Sequence, residues 1–498
     1  MSSTTSTTLE AASARPAGHV HDDLFIDGQW LQARSAERTA MVDPATEEIW
    51  GEVPDAGEAD VDDAVRAAHA AFRRPGWADL TAGERAAHLL RFADELQSCG
   101  AAMAELITAE NGTPIAETSS AAAHAAGILR YFAGLAGWID GEDRRPFPGG
   151  SGSFTLVRRQ PVGVCALIAP WNFPLTLVMV KLAPALIAGC TVVIKPASET
   201  PVDLRVLIEA AVAAGLPAGV LNVITGSRVA GGHLVRHPLV SKVAFTGSTD
   251  AGRIIAAQCG TLLRPVTLEL GGKSAAIVLP DADLDHFSSM VLRTCLRNTG
   301  QTCYNATRIL APADRYDDIV DLVARRVAGA KQGDPRELDT VFGPVVSATQ
   351  RDRVRGYIEI GLGEGARLAA GGTSTPFERG FYVTPTVFRD VTRSMRIAQE
   401  EIFGPVLAVI AYQDEEDAVA IANDSGFGLG GSIFSADEDR ATRLADRIDT
   451  GSIGINFFGS NLAAPFGGWK DSGLGTEYGP EGVAAYLALK SVHRLSTT

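Results

Sequence analysis

The chain has 498 residues, 46% of them hydrophobic and 21% charged, with a formal net charge of -15. That length is too great for one hydrophobic core and predicts two or three domains of ordinary globular composition. The acidic balance excludes the basic surface that nucleic acid or an anionic membrane rewards. Six scattered cysteines without a Cys-x-x-Cys pair exclude a disulfide framework or a zinc site and fit a reducing, cytoplasmic setting.

Residues 1–21 are Ser-, Thr- and Ala-rich without the apolar core of a secretory signal, and a disordered lead-in is expected there. The serines leave a transit-peptide alternative, which the acidic residues oppose. His19 and His21 have no partner cluster and read as solvated tail residues. Phe154–Pro161 is strand-like but charged. From Gly163 onward, Val/Ile/Leu-rich runs at Val164–Ala169, Thr191–Ile194, Val220–Ile224, Val243–Phe245 and Val266–Leu270 alternate with helix-length stretches such as Leu175–Ala188 and Val202–Ala214. Continuous apolar strands between helices predict a parallel sheet covered on both faces, the doubly wound α/β class. The apolar stretch Ala166–Ile194 is long enough to span a membrane, but Pro170, Pro174, Pro184, Asn172 and Lys181 interrupt it, so a buried strand–loop–helix–strand is expected.

A second alternation follows Leu270. Strands are expected near Ala275–Leu279, Arg308–Leu310, Val406–Ile410, Ser432–Phe434 and Ser452–Ile455. Helices are expected at Leu284–Leu296, Tyr316–Ala328, Gln350–Leu362, Glu415–Ala422 and Arg440–Arg447. The tail Ala484–Leu495 and Phe154–Pro161 fit neither sheet, and such unpaired extended segments predict a homodimer or homotetramer.

Doubly wound sheets bind ligands at the C-terminal ends of their strands. There stand Pro170-Trp171-Asn172-Phe173-Pro174, Lys195-Pro196-Ala197-Ser198 and Thr246-Gly247-Ser248-Thr249. Cys303, in Gly300-Gln301-Thr302-Cys303, and Glu269, in Glu269-Leu270-Gly271-Gly272-Lys273-Ser274, supply a thiol and a carboxylate in Gly-bearing turns. A thiolate that attacks a carbonyl and a carboxylate that activates water are what a thioester mechanism needs. Taken alone, a lone cysteine is more often a small buried hydrophobe. Two other spellings mislead. Gly426-Phe427-Gly428-Leu429-Gly430-Gly431 matches a dinucleotide fingerprint but follows a helix and leads into a strand. Gly271-Gly272-Lys273-Ser274 resembles the end of a phosphate loop, but position 267 is Thr.

With Lys181-Leu-Ala-Pro-Ala-Leu186, Phe245-Thr-Gly-Ser-Thr249, Glu401-Ile-Phe-Gly-Pro405 and Pro465-Phe-Gly-Gly468 added, the chain resembles the NAD(P)-dependent aldehyde dehydrogenase superfamily from Asp22 to Leu495. The resemblance implies a cofactor-binding domain from residues 22–142 and 162–270, a catalytic domain from 271–471, and an oligomerisation element from 143–161 and 484–498. It implies oxidation of an aldehyde to an acid through a Cys303 thioester. Asn172 would hold the oxyanion with the Cys303 N–H, and Glu269 would activate water. Glu269, Lys181 and Glu477 would handle protons. For the cofactor it implies Ile168, Trp171, Lys195, Ser198, Gly226, Gly247, Ser248, Leu270, Glu401 and Phe403. No metal is implied. Ser198 stands where many NAD-preferring members carry Glu, which leaves NAD or NADP open. The substrate funnel implied by resemblance comprises Phe173, Leu177, Val180, Thr302, Tyr304, Phe458 and Phe466. No Arg or Lys occurs in that set, so a medium or bulky apolar aldehyde is expected, with room beside the small Val180. The rival readings are a CoA-acylating relative, which typically lacks the Glu269 carboxylate, a non-catalytic structural member, and a cofactor-free thiol hydrolase, for which no motif histidine exists.

Overall fold

The computed structural model describes residues 23–148 and 152–495; the lead-in expected at 1–21 lies outside them. The first sheet has eight strands. In spatial order these are Gln29–Gln32, Asp23–Ile26, Leu221–Val223, Thr191–Lys195, Val164–Ile168, Val240–Thr246, Val266–Glu269 and Gly473–Leu474. Five strands, Leu221–Val223 to Val266–Glu269, are mutually parallel; the antiparallel hairpin of the first two strands flanks one side and the antiparallel Gly473–Leu474 the other. The strands Val164–Ile168 and Thr191–Lys195 are buried throughout, because helices cover both faces. The expected strands are therefore present, and Gly473–Leu474, which was not expected, joins the sheet from beyond the boundary expected for this unit.

Between the first two strands and Val164 stand an antiparallel pair, Arg38–Val42 with Ile49–Pro54, and the helices Glu58–Arg73, Ala82–Ser98, Gly100–Asn111 and Ala121–Ala133. The helix Ala82–Ser98 starts at a capping box. The Thr81 hydroxyl accepts from the Glu84 N–H while the Glu84 carboxylate accepts from the Thr81 N–H. The helix Pro174–Ala188 begins at a proline, where no intrahelical N–H is lost, and ends at Gly189 with φ +94°. Within it only Thr176 and Leu177 escape burial, so its uniformly apolar sequence marks a central core helix rather than a membrane span. Among the described residues no helix is long and apolar enough to cross a membrane.

The second sheet orders Arg367–Ala370, Thr386–Arg389, Val406–Tyr412, Arg308–Pro312, Ala275–Val278, Gly431–Phe434 and Gly454–Ile455. Only the first pair is antiparallel. Arg367–Ala370 and Thr386–Arg389 were not expected; the first is an exposed edge without the apolar run of a central strand. The glycine run at 426–431 becomes a turn between Phe427–Gly428 and Gly431–Phe434, as expected of a coincidental spelling.

A third sheet corrects one expectation. Phe154–Pro161 and Leu487–Arg494 do lie outside both large sheets, but they are not unpaired. They pair antiparallel with each other over eight positions, and Asp143–Pro146 adds to the other side of Phe154–Pro161. The open edges are those of Leu487–Arg494 and Asp143–Pro146.

Candidate active site

Cys303 sits on a loop that follows the helix Leu284–Cys295 and is bent by three successive left-handed residues. These are Asn298 (φ +50°), Thr299 (φ +53°) and Gly300 (φ +78°). A side chain at Gly300 would strike the Gly404 carbonyl 2.1 Å away, so only glycine brings this loop against the Glu401–Pro405 segment. A side chain at Gly272 would meet the Cys303 carbonyl at 2.3 Å, which explains the second glycine of Gly271-Gly272. The loop is pinned from several sides. Asn172 Nδ2 donates to the Gln301 carbonyl at 2.9 Å, the Val346 N–H donates to Gln301 Oε1 at 3.0 Å, and Thr302 Oγ1 donates to the Arg297 carbonyl at 3.1 Å.

The structure thus brings Asn172 and the Cys303 loop together, as the sequence suggested. Behind Asn172 are two residues that sequence reasoning missed. Asn111 Nδ2 donates to the Trp171 carbonyl at 3.0 Å, and Asn298 Nδ2 donates to the Asn172 carbonyl at 2.8 Å. Thr113 Oγ1 in turn donates to Asn298 Oδ1 at 2.9 Å. Asn298 had a readable signal, since an Asn before Gly near a functional loop favours left-handed backbone. Asn111 had none, because it comes from a distant helix.

Cys303 is half-buried. Burial of the thiol, then the charges of Glu401 and Glu269, hold it well above the usual thiol range, against the N–H groups of Tyr304 and Cys303 itself. Glu269 ends the strand Val266–Glu269 and is 3% exposed. Neither of its carboxylate oxygens has a hydrogen-bond partner among the described residues, and Oε1 lies beside Gly467 of the Pro465–Gly468 turn. Burial, with the Glu477 charge nearby and Lys181 opposing, raises this carboxyl well above its ordinary range. Lys181 is fully buried. Its Nζ donates to Glu477 Oε1 and to Thr246 Oγ1, each at 2.6 Å. Glu477 is fixed by backbone pairing with Phe466. The three proton-handling candidates therefore form one buried electrostatic cluster.

On the other side of the first sheet's C-terminal edge, Ser248 caps the helix Thr249–Thr261. Its hydroxyl accepts from the Ala251 N–H at 3.4 Å, which leaves the helix N-terminus facing out of the sheet beside Gly247. Lys195 ends the strand Thr191–Lys195, and its Nζ donates to the Pro196 and Gly226 carbonyls at 2.7 and 2.6 Å. Burial pushes its amine down to about 8. Ser198 Oγ donates to the same Gly226 carbonyl at 3.2 Å, so Lys195, Ser198 and Gly226 are one unit. Ile168 and Leu270 lie nearly buried at the ends of their strands. Trp171 meets Phe403 edge-on at 5.3 Å, and Phe403 is held at φ +61°. Glu401 Oε1 accepts from the Gly272 N–H at 2.9 Å, and burial pushes its carboxyl up to about 7. A helix N-terminus and a buried amine at the C-terminal ends of the sheet's strands are groups that could hold an anionic dinucleotide.

Of the funnel residues, Tyr304 packs on Phe458 at 4.8 Å and on Phe466 at 6.4 Å between ring centroids. Phe173 and Leu177 are half-buried on one side, and Thr302 is buried beneath. Val180 departs from expectation: at 1% exposure it is packed into the core, so its small size does not open room in the funnel. The absence of a cation also needs correction. Arg297, outside the expected set, stands over the Phe173 ring and bonds the Tyr304 hydroxyl.

The model of the aldehyde dehydrogenase family matches residues 30–492. The chain is 52% identical over 476 residues to a geranial dehydrogenase of Castellaniella defragrans, covering 95% of this chain and 99% of that protein. The crystal structure of a Mycobacterium tuberculosis aldehyde dehydrogenase complexed with NAD+ superposes with a TM-score of 0.92 at 44% identity, covering 95% and 98% of the two chains. That of an aldehyde dehydrogenase C mutant from Pseudomonas syringae, complexed with NAD+ and octanal, gives 0.91 at 39% identity over 95% and 97%. A thiol loop, a buried carboxylate and a dinucleotide-shaped edge on this fold lead to one conclusion: the chain belongs to the aldehyde dehydrogenase family and is an oxidoreductase acting on aldehydes.

Proposed function

We propose that the protein oxidises a medium or bulky apolar aldehyde to its acid, with Cys303 as nucleophile and Glu269 as the base for hydrolysis. The observation that carries this is the buried, unpartnered Glu269 carboxylate in the electrostatic field of Cys303 and of the Lys181–Glu477 pair. Cys303 reacts as its thiolate, the thiol proton having gone to solvent: Sγ bonds to the aldehyde carbon, the carbonyl π bond opens and its oxygen takes the charge. Asn172 spends one amide N–H on Gln301, which leaves the other for that oxygen together with the Cys303 N–H. When that oxygen re-forms the carbonyl, the substrate C–H bond breaks and the thioester is left; a bound NAD would supply the hydride acceptor. Lys195, Ser198, Gly226, Gly247 and Ser248 would hold its adenosine and phosphates. Ile168, Trp171, Leu270, Glu401 and Phe403 would line the rest. Water then attacks the thioester carbon while Glu269 takes its proton. The S–C bond breaks with the sulfur leaving as thiolate, and Glu269 passes the proton toward the Glu477 carboxylate. A carboxylate whose affinity for protons is raised is the stronger base for this step. Retention of Glu269 favours hydrolysis over transfer to CoA.

Substrate class is supported by the aromatic lining of Tyr304, Phe458 and Phe466, and by relatives named for geranial and complexed with octanal. Ser198 places no carboxylate at the ribose end, so NADP use alongside NAD is part of the proposal. The cofactor-binding unit is residues 22–142 with 162–270, the catalytic unit is 271–471, and the third sheet is the oligomerisation element of a homodimer or a tetramer of dimers. A cytoplasmic location agrees with the six free thiols. Growth of reduced-cofactor absorbance with octanal and geranial, measured with NAD and with NADP, tests the reading. It is expected in the wild type with NADP within about tenfold of NAD in kcat/KM. Cys303→Ala is expected to show none while still binding NAD; turnover in that variant would remove Cys303 from its role.

A further inference from the structure

The funnel wall carries one charge whose neighbours give it a purpose. Arg297 follows the helix Leu284–Cys295 and spans three groups. Its guanidinium carbon stands 4.9 Å over the Phe173 ring, its Nη1 donates to the Tyr304 hydroxyl at 2.7 Å, and its Nε donates to Glu117 Oε1 at 2.5 Å. Its own carbonyl accepts from Thr302 Oγ1 and Asn305 Nδ2, at 3.1 and 3.0 Å, so it is tied to the loop that bears Cys303. A guanidinium in such a place is the group that would recognise a carboxylate at the far end of an aldehyde, because its fork matches a carboxylate's two oxygens. Here the fork is already engaged. Glu117, in the one-turn helix Ile115–Thr118, occupies the Nε edge, Tyr304 takes one terminal nitrogen, and the flat face lies on Phe173.

We propose that Glu117 is a specificity-determining residue: by holding Arg297 it keeps a latent carboxylate clamp closed and turns the funnel against aldehydes that carry a second, anionic group. The inference rests on reading Phe173, Thr302 and Tyr304 as funnel wall. Two effects act in the same direction. An incoming carboxylate must displace Glu117 to take the Nε edge of Arg297, and until it does, it meets a like charge beside the cation. An uncharged chain meets only the neutralised pair and the rings. Glu117 touches neither substrate nor reacting atoms, so it is a positioning residue, and its signature is a ratio between substrates rather than a rate.

The test uses two matched pairs of aldehydes, octanal against 8-oxooctanoate and 4-methylbenzaldehyde against 4-carboxybenzaldehyde, with kcat/KM measured for each on the full-length enzyme with NAD. Glu117→Gln keeps the size and an acceptor oxygen but frees the charge of Arg297. The anionic-to-neutral ratio is expected to rise about tenfold or more in at least one pair, and adding Arg297→Gln should cancel the rise. A change under about threefold in both pairs, or an equal rise in the double variant, overturns the proposal. If Glu117→Gln does not fold, Arg297→Gln alone decides. It leaves Glu117 without its cation, so the ratio must fall, and an unchanged ratio overturns the proposal. A general loosening of the loop would lower both members of a pair together. Wild-type enzyme that turned over neither neutral aldehyde would instead overturn the reading of the funnel on which this rests.

Discussion

A carboxylate without a hydrogen bond in a buried site costs several kcal/mol if it is charged, so the proton affinity of Glu269 is raised. This sets the pH behaviour of the second half of the reaction. The group works as a base only when deprotonated, and its proton affinity is raised. Steady turnover should therefore climb as pH rises above the ordinary carboxylate range and fall as pH is lowered. The pre-steady-state burst of reduced cofactor, which precedes hydrolysis, should keep its amplitude at the lower pH, though it slows as Cys303 thiolate is lost. Glu269→Gln should reproduce the low-pH state at every pH, with a full burst followed by steady turnover reduced about 10²–10⁴-fold. Stopped-flow absorbance separates the two phases, and burst and steady rate falling together would place Glu269 in the first chemical step.

At the scale of elements, the helix Asp203–Ala213 begins on a buried acid. Asp203 is fully buried, and burial pushes its carboxyl from 3.8 to about 8. Glu110 beside it accepts the Val202 and Asp203 N–H groups at 2.6 and 3.1 Å. Because the proton is held more tightly in the fold than in the unfolded chain, the stability Asp203 contributes is full below pH 3.8 and is lost as pH rises through 8. Asp203→Asn removes the titration, so its melting temperature relative to wild type should be higher at pH 9 than at pH 5 by about 2 °C or more. Parallel thermal scans at the two pH values check this, and an equal difference at both would mean that Asp203 is charged throughout. Elements of this kind also show what the sequence made legible. The strands Val164–Ile168 and Thr191–Lys195 stood out because a sheet covered on both faces needs unbroken apolar runs. Arg367–Ala370 did not, since an exposed edge strand needs no such run. Cys303, Glu269 and Asn172 were legible because each lies in a local motif. Glu117 and Arg297 were not, because a pair 180 residues apart in sequence leaves no spacing to read.

Across the whole molecule, the edges of the third sheet at Leu487–Arg494 and Asp143–Pro146 remain open, and Leu489 is 71% exposed. The helices Arg228–Arg236 and Thr249–Thr261 expose Val229 and Ile254, with Leu263 just beyond. Open edges and apolar side chains on the surface of one chain are the basis of the proposed homo-oligomer. Light scattering at micromolar concentration should return at least twice the chain mass of 52.3 kDa, and a value near that mass would overturn the assembly. The sheet that joins Phe154–Pro161 to Leu487–Arg494 also has a consequence for biosynthesis. The same closing stretch supplies Gly473–Leu474 to the edge of the first sheet and Glu477 to Lys181. A ribosome that has made nine-tenths of the polypeptide has therefore produced a nascent chain with a naked strand, an open sheet edge and a buried ammonium lacking its counterion. Completion of these pairings waits for residues 473–494 to emerge, and a product terminated before them carries those exposed features as marks for chaperones and proteases.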